Sequence, residues 1–169
     1  MTTRFRLAAS DDTFLATAAR RYIHIVDIPR VPDDVWDMLT AEDALVSWSG
    51  VITTARWTSP RPFGVGTTRV VTLGGIIRLE ERFYRWDVGS RMTFTVDAAS
   101  IPGLKRFAED LTLRPIPTGT RLTWTFALEG NSLLRPMLAA ASPVNRWVTK
   151  TIAQGILSRA RHESEETPR

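Results

Sequence analysis

Three ionisable side chains lie on otherwise apolar strand faces, and they are the residues of this sequence best placed to do chemistry. Arg69 shares a face with Val71 and Leu73, and Glu81 and Glu109 lie in the same way on two later strands. A lone ion in a dry core costs on the order of several kcal/mol, so the three are best explained together. They predict an interior space in which water or a ligand meets their hydrogen-bonding needs. The arginine can polarise a carbonyl group, and a buried carboxyl group with a raised pKa can act as an acid or base.

A purely structural interpretation of the same residues stands beside this one. Arg69 and Glu81, on consecutive hairpin strands, can form a cross-strand ion pair that does no chemistry. Glu109 can meet bulk solvent where its strand enters the sheet. The alternation also leaves open whether Trp124 and Phe126 belong to the packed core or to a ligand site.

The composition removes most other kinds of catalytic centre. The 169 residues include no cysteine, which excludes disulfides, thiol nucleophiles and cysteine-ligated metals. The two histidines, His24 and His162, are far apart in the sequence, so we expect no metal site and no cofactor. His24 is a weak candidate for an acid or base.

The distribution of charge and apolar residues limits the partners. The net charge of +4 is carried almost wholly by arginines spread along the chain, whereas nucleic-acid binders concentrate basic residues in a patch. No apolar run approaches the roughly 18 residues of a membrane-spanning helix. Asp11 and Asp12 interrupt the N-terminal region before it can form a secretory signal. These features predict a cytoplasmic monomer or homodimer with no nucleic-acid partner and no integral membrane segment.

Turn signals divide most of the chain into β-strands, which must position these residues. A strand pattern over 21–28 is followed by two short helices, over 31–40 and 41–48; Pro32 favours the first, with Asp33 or Asp34 as its cap. Six more strands follow, separated by turns such as Gly74–Gly75. These strands are predicted over 51–57, 67–73, 76–86, 91–99, 106–116 and 121–130.

The last segment has the period of a helix. From Val144 to Ile156 apolar and small residues recur at helical spacing, and Pro136 and Pro143 predict a break before them. Successive hairpins make the sheet antiparallel, so the long helix must lay its apolar stripe on one sheet face. We expect an α+β domain over 20–163, preceded by an extension over 1–19 and followed by a disordered tail over 164–169.

Strand alternation selects the side chains that face this helix, and these are the predicted ligand contacts. Trp48, at the end of the second short helix, and Ile152, on the helix stripe, complete the set. The predicted ligand-binding residues are Trp48, Arg69, Val71, Leu73, Glu81, Phe83, Phe94, Val96, Phe107, Glu109, Leu111, Trp124, Phe126 and Ile152.

Five short motifs occur in a recognisable order. They are "VPDDVWDML", "LVSWSGVI", "GVGTTRVV", "LEERFYRWDVGSRMTFTV" and "LRPIPTGTRLTWTF", between residues 31 and 126. The first is similar to an Ala-Pro-x-x-Val-Trp-x-x-Leu opening, and the third to a Gly-x-Gly-x-x-Arg entry to a strand. Over residues 20–163 the chain therefore resembles the START/Bet v 1-like (SRPBCC) superfamily, specifically its polyketide cyclase/dehydrase and lipid transport group.

The resemblance implies a helix-grip fold. In that fold a curved seven-stranded antiparallel sheet wraps around a long C-terminal helix, with two short helices after the first strand and a cavity inside. Members bind hydrophobic or amphipathic small molecules, and the related abscisic acid receptors have a mobile gate loop. The Gly74–Gly75 connection is too short for such a loop, so a receptor of that type is not expected. Positions matching the pocket strands of those receptors are Val71, Leu73, Glu81, Phe83, Phe94 and Val96.

Three functional hypotheses follow. The first is binding or transport of a lipid-like or polyketide-like small molecule, with Arg69, Glu81 or Glu109 holding its polar end. The second is a cofactor-independent polyketide cyclase, aromatase or dehydratase, in which Glu81 or Glu109 is the catalytic acid or base and Arg69 polarises a carbonyl. The third is a ligand-free module whose apolar segment 132–138 docks on a protein or membrane.

Overall fold

Seven long antiparallel strands and one short strand make up the sheet. The computed structural model describes residues 3–165, with side chains as far as His162. The strands are β1 (Phe5–Arg6), β2 (Arg20–Ile28), β3 (Ile52–Trp57), β4 (Thr68–Leu73), β5 (Ile77–Asp87), β6 (Arg91–Ala99), β7 (Leu104–Ile116) and β8 (Gly119–Gly130). The long strands are ordered β2-β8-β7-β6-β5-β4-β3, and β1 pairs with β6 off this path. The sheet is curled and holds the C-terminal helix, which confirms the predicted helix-grip fold.

One α-helix, rather than two, separates β2 from β3. Helix α1 is Asp12–Thr17 and α2 is Pro32–Thr40. Val31 precedes α2 as its N-cap without a side-chain hydrogen bond, so Asp33 and Asp34 lie in the first turn and do not cap the helix. Residues 41–48, predicted as a second short helix, form turns instead, because Leu45 has a φ of +71° that a right-handed helix cannot contain.

Two helices close the chain, with the predicted break between them. Helix α3 is Leu134–Ala140 and α4 is Ser142–Glu165. Pro136 and Pro143 each lie in a first helical turn, where a backbone N–H has no intrahelical acceptor. The prolines therefore start new helices and separate α3 from α4. The predicted tail lies outside the described residues except for positions 164 and 165, which belong to α4.

The predicted N-terminal extension covers the outer face of the sheet. Phe5 of β1 pairs with Ala99 of β6. Phe14 and Leu15 of α1 pack on Ala108 and Ala127, which are fully buried. The part of the outer face around Ala108 and Ala127 is therefore shielded from water by a segment that the sequence pattern places outside the domain.

The hairpin between β4 and β5 sets the register that matters for the site. Gly74 and Gly75 have φ of +56° and +72°, as the predicted tight turn requires. Leu73 pairs with Ile77, so the turn also contains Ile76 and is one residue longer than predicted, and in this register Arg69 pairs directly with Glu81. Farther along the sheet, Glu109 of β7 pairs with Phe94 of β6 and Phe126 of β8.

Aromatic packing fills one end of the space between the sheet and α4. Trp36 of α2 packs edge-on against Trp86, which also contacts Trp57, Phe63 and Phe83. This cluster lies toward the β5–β6 turn. The opposite end, near the β4–β5 and β6–β7 turns and the start of α3, is lined by smaller aliphatic residues and stays open. Among residues 3–165, no helix combines the length and apolarity needed to cross a bilayer.

Candidate functional site

Arg69 is buried in an ion pair against the aromatic cluster. It is 4% exposed, and its Nε donates to Glu81 Oε2 at 2.7 Å. Its guanidinium carbon also lies 4.8 Å from the ring centre of Trp57 and 5.3 Å from that of Phe83. Aromatic faces attract a cation, most strongly when water is excluded. The arginine on the apolar face is thus held by one carboxylate and by rings on neighbouring strands.

Glu109 is buried with a different kind of partner. It is 7% exposed, and its Oε2 accepts a hydrogen bond from Trp124 Nε1 at 2.7 Å. Burial, reinforced by the negative charge of Glu81, raises the pKa of Glu109 well above its usual value, although the Trp124 hydrogen bond and Arg69 oppose the shift. Among the ion pairs of the described residues, none involves Glu109.

One cation therefore serves two buried carboxyl groups. Burial also raises the pKa of Glu81, but the charge of Arg69 and its hydrogen bond favour the ionised form. Glu81 has the direct contact with Arg69, so its negative charge is compensated. Glu109 has none, and a second uncompensated charge in this space is costly. The ion pair with Arg69 therefore favours the ionised form of Glu81, whereas burial and the charge of Glu81 favour the neutral form of Glu109.

These groups line a cavity at the open end of the sheet. The cavity has a volume of about 160 Å³ and walls that are mostly aliphatic and aromatic. Arg69, Glu81 and Glu109 lie in its wall, and Asn145 and Thr149 of α4 add polar atoms on the helix side. The partly exposed lining residues include Ile77 and Ile101 on the sheet side and Leu138 and Asn145 on the helix side, so the cavity reaches the surface between the β4–β5 and β6–β7 turns and the α3–α4 junction.

The structure brings most of the predicted ligand-binding residues to the cavity. The wall contains Arg69, Val71, Leu73, Glu81, Phe107, Glu109, Trp124, Phe126 and Ile152. A role in ligand binding stays a prediction for each of them.

The other predicted contacts lie elsewhere. Phe83, Phe94, Val96 and Leu111 are at most 3% exposed and pack in the core. Alternation had assigned them to the right face, but it could not show that aromatic packing fills that end of the face. Trp48 packs against α4, where an added Cβ on Gly155 would lie 2.5 Å from the Trp48 carbonyl oxygen. It does not reach the cavity.

The sequence reasoning missed the contribution of the helices to the cavity wall. Leu138, Asn145, Val148 and Thr149 lie there, beyond the predicted Ile152. The i, i+3, i+4 spacing of 145, 148, 149 and 152 is a signal that could have found three of them. Leu138 could not be found in this way, because its place in the cavity wall depends on how α3 packs over the sheet.

His24 lies behind this wall and anchors α4. Its Nε2 is 2.8 Å from Thr149 Oγ1, and the threonine hydroxyl donates to the Asn145 carbonyl at 2.9 Å. Because a hydroxyl has one proton, His24 Nε2 is the donor. Burial, helped by the charges of Arg146 and Lys150, lowers the pKa of His24. His24 is therefore neutral at pH 7 and does not line the cavity, which leaves it a positioning role.

The chemistry available in the cavity is hydrogen bonding and proton transfer in an apolar space. A neutral Glu109 can donate to a carbonyl or hydroxyl oxygen, and ionised Glu81 beside it can accept a proton. Within the described part of the chain, no group of three histidine, aspartate or glutamate side chains is close enough to hold a metal ion.

Sequence comparison places the chain among known relatives. Residues 17–163 match the family described as polyketide cyclase / dehydrase and lipid transport. An uncharacterized protein of Mycobacterium tuberculosis is 38% identical over 132 residues, which cover 78% of this chain and 79% of the relative.

Solved structures show the same fold at low sequence identity. The protein TTHA0849 from Thermus thermophilus aligns with a TM-score of 0.71 at 16% identity, over 86% of this chain and 99% of that one. A START superfamily protein from Mycobacterium smegmatis aligns with a TM-score of 0.67 at 10% identity, over 84% of this chain and 97% of that one. At such identities these likenesses establish the fold alone.

Proposed function

Since the chain belongs to the polyketide cyclase/dehydrase and lipid transport family, we propose that it binds a small, largely apolar, uncharged molecule in the cavity beside Arg69, Glu81 and Glu109. The protein acts as a carrier or binding protein for this molecule. The apolar walls provide affinity, and the polar groups orient one end of the ligand.

The neutral Glu109 carboxyl group carries this proposal. With Glu81 paired to Arg69, the three groups sum to no net charge, so an ionic ligand would lack a counter-ion. One Glu109 oxygen is occupied by Trp124. The acid proton is then available to an acceptor atom of a ligand, such as a ketone, ester or aldehyde oxygen.

The size of the cavity limits what fits without rearrangement. Its volume of about 160 Å³ is close to that of the ~150 Å³ cavity that holds benzene in an engineered protein. Drug-sized ligands occupy pockets of roughly 300–1,000 Å³. A one-ring ligand therefore fits as the cavity stands, whereas a lipid-sized or polyketide-sized ligand requires α3 and the start of α4 to move outward.

A matched pair of ring compounds tests the proposal. Acetophenone and isopropylbenzene have nearly the same shape, but only acetophenone has a carbonyl oxygen. We expect both to bind, with acetophenone favoured by up to about tenfold, the value of one net hydrogen bond. Ligand-observed NMR with the purified protein measures the two affinities. Absence of binding for both compounds would contradict the proposal.

Variants of Glu109 test whether this residue makes the hydrogen bond to the carbonyl oxygen of acetophenone. Glu109→Gln keeps an N–H donor and should keep the preference for acetophenone, whereas Glu109→Leu should lose it. Glu42→Leu, at a highly exposed glutamate outside the cavity, is the control and should behave as the wild type. An unchanged preference in Glu109→Leu would remove this residue from the scheme. Native mass spectrometry of the purified protein then searches for the natural ligand.

A second candidate function is catalysis of a cyclisation or dehydration. The observation that favours it is a neutral acid, Glu109, in one apolar space with an ionised carboxylate, Glu81, and a guanidinium. Glu109 would protonate a departing hydroxyl group while Glu81 accepts a proton from carbon. For this function Glu109→Gln should bind a linear poly-β-ketone but not convert it. A wild-type protein that returns the compound unchanged favours the carrier.

The cellular location and assembly stay predictions from the sequence. A cytoplasmic location, a monomeric or homodimeric state and the absence of a nucleic-acid partner all rest on composition and charge. Sedimentation velocity of the purified protein measures the assembly directly.

A further inference from the structure

The outer surface of α3 and the first turns of α4 exposes large apolar side chains. Leu133 is 80% exposed, Met137 65%, and Val144 and Trp147 60% each. Single exposed apolar residues are ordinary, but these four belong to one short segment that spans the junction between α3 and α4. Helix α3 contains no buried residue, although Leu134 and Leu138 turn partly toward the core. The surface is defined here as the α3–α4 surface.

The same part of the chain carries only positive charge. From residue 131 to residue 162 there is no aspartate or glutamate, although Glu129 and Glu163 flank the segment. It contains five basic residues, whereas the other 137 residues carry 17 basic and 18 acidic side chains. The protein's net charge of +4 therefore resides in this segment.

The basic and apolar side chains share the α3–α4 surface. Arg146 and Lys150 are exposed and four residues apart, so they lie on one side of α4. Trp147 is three residues from both Val144 and Lys150, so it lies between the apolar and the basic side chains. Arg135 is exposed on α3. No ion pair among the described residues involves these three basic side chains. Their charge is therefore free to meet an anionic partner.

We propose that the α3–α4 surface docks the protein on an anionic lipid bilayer, with Trp147, Val144, Met137 and Leu133 in the headgroup region and Arg135, Arg146 and Lys150 on the lipid phosphates. Interfacial helices combine these features: basic residues on the polar side, and tryptophan and aliphatic residues on the other. The proposal goes beyond the cavity function and does not depend on it.

The α3–α4 surface and part of the cavity wall lie on opposite sides of the same two helices. Leu138, Asn145 and Val148 line the cavity from the inner side of the same helices. A protein docked through the outer side would hold the cavity opening next to the lipid. An apolar molecule dissolved in the bilayer would then enter without crossing bulk water.

Vesicle flotation with the purified full-length protein tests docking. Vesicles of phosphatidylcholine with roughly 30% phosphatidylglycerol are compared with vesicles of phosphatidylcholine alone. We expect flotation only with the anionic vesicles, and its loss when salt is raised from about 0.05 M to about 0.5 M. Equal binding to both vesicles, or none to either, would overturn the proposal.

Matched double variants locate the contact. Arg146→Gln with Lys150→Gln should lower the bound fraction by about tenfold or more, whereas Arg56→Gln with Arg114→Gln, at exposed arginines elsewhere, should not. Val144→Ser with Trp147→Ser should also reduce flotation. Its control is Val65→Ser with Val88→Ser, which removes side chains that are 72% and 75% exposed away from this surface.

Two further measurements show whether a loss of flotation comes from the lost membrane contact or from damage to the fold. All substituted side chains are exposed, so melting temperatures should stay close to that of the wild type, and acetophenone binding should persist. If the controls weaken flotation as much as the α3–α4 variants, the assigned surface is wrong. If the α3–α4 variants instead abolish a concentration-dependent dimer and the wild type does not float, the surface pairs two copies of the chain and the lipid proposal fails.

Discussion

At the scale of single residues, the buried charges of the cavity depend on one another. Arg69 has its direct ion pair with Glu81, and the charge of Glu81 helps to raise the pKa of Glu109. A buried ion pair adds little net stability, but removing one partner leaves the other buried without compensation. The three side chains that we propose to orient a ligand therefore also affect stability.

Breaking the Arg69–Glu81 pair should be more harmful than removing both charges. Arg69→Leu should lower the free energy of unfolding by about 3–5 kcal/mol at pH 7, because Glu81 is left buried without its partner. Arg69→Leu combined with Glu81→Leu should recover much of this loss. Urea denaturation of the wild type, the two single variants and the double variant measures the effect. A double variant that loses the sum of the single losses would show that the charges do not interact.

The neutral state of Glu109 should appear in the pH dependence of stability. Because its pKa is raised in the folded protein, Glu109 contributes stability that is complete below its unfolded pKa near 4.3 and is lost as pH rises through the folded value. Glu109→Gln cannot ionise. The wild type should therefore lose stability relative to this variant between about pH 4 and the raised pKa, by at most about 1.4 kcal/mol per pH unit.

Denaturation midpoints of both proteins in one buffer series test this, since titrating groups that do not interact with Glu109 contribute equally to each. A difference that stays constant across the series, or that grows in favour of the wild type at higher pH, would mean that Glu109 is ionised in the folded protein.

At the scale of secondary-structure elements, α4 is held against the sheet by a few close contacts. His24 of β2 donates to Thr149 near the start of α4, and Arg30 donates to the carbonyl of Ala160 near its end. Between them, Gly155 lets the turn that contains Trp48 approach the helix backbone. These contacts fix the distance of α4 from the sheet, and with it the height of the cavity.

Substitution of Gly155 should show the importance of this close approach. A Cβ there would lie 2.5 Å from the Trp48 carbonyl oxygen, closer than real side chains come to backbone. Alanine improves helix propensity by about 1 kcal/mol, but the overlap should outweigh it and give a net loss of about 1–3 kcal/mol. Thermal unfolding measures the change. Ser158→Ala, at an exposed position of α4, is the control and should stay within about 0.5 kcal/mol. A stabilised Gly155→Ala variant would contradict the packing.

At the scale of the whole molecule, the fold leaves one end of its interior unfilled. Aromatic residues pack the end near α2, whereas aliphatic side chains leave about 160 Å³ empty near α3. Empty apolar volume costs stability because the lining atoms lose packing partners. A side chain that fills such a cavity can therefore raise stability while it removes binding.

Filling the cavity should separate binding from stability. Val148→Phe places a ring in the cavity from α4, so it should abolish acetophenone binding while leaving the unfolding free energy unchanged or raised by about 1 kcal/mol. Val144→Phe adds the same ring on the exposed side of the same helix and should bind acetophenone normally. Ligand-observed NMR and urea denaturation provide the two readouts. Retained binding in Val148→Phe would place the ligand elsewhere.

Much of the site could be predicted because strand periodicity assigns each side chain to a face. Arg69 and Glu81 were expected to be cross-strand neighbours, and the three-residue turn over 74–76 makes them so, whereas the predicted two-residue turn would have paired Arg69 with Glu80. Trp57, whose ring lies against Arg69, was not identified. Its strand, β3, is joined to β4 by a long Pro/Gly-rich connection. Unlike a tight turn, such a connection does not indicate which residues of the two strands are paired.

What the sequence by itself determined was the order of the elements, the antiparallel pairing and the face on which three charges lie. These follow from local rules: alternation in strands, helical spacing, and glycine in tight turns. Only the tertiary structure decided that Phe83 and Phe94 are core, that Asn145 and Thr149 line the cavity, and that Glu109 is buried in the same cavity wall as the Arg69–Glu81 pair. Those outcomes depend on packing and charge between segments distant in the chain, and periodicity carries no information about the distance between them.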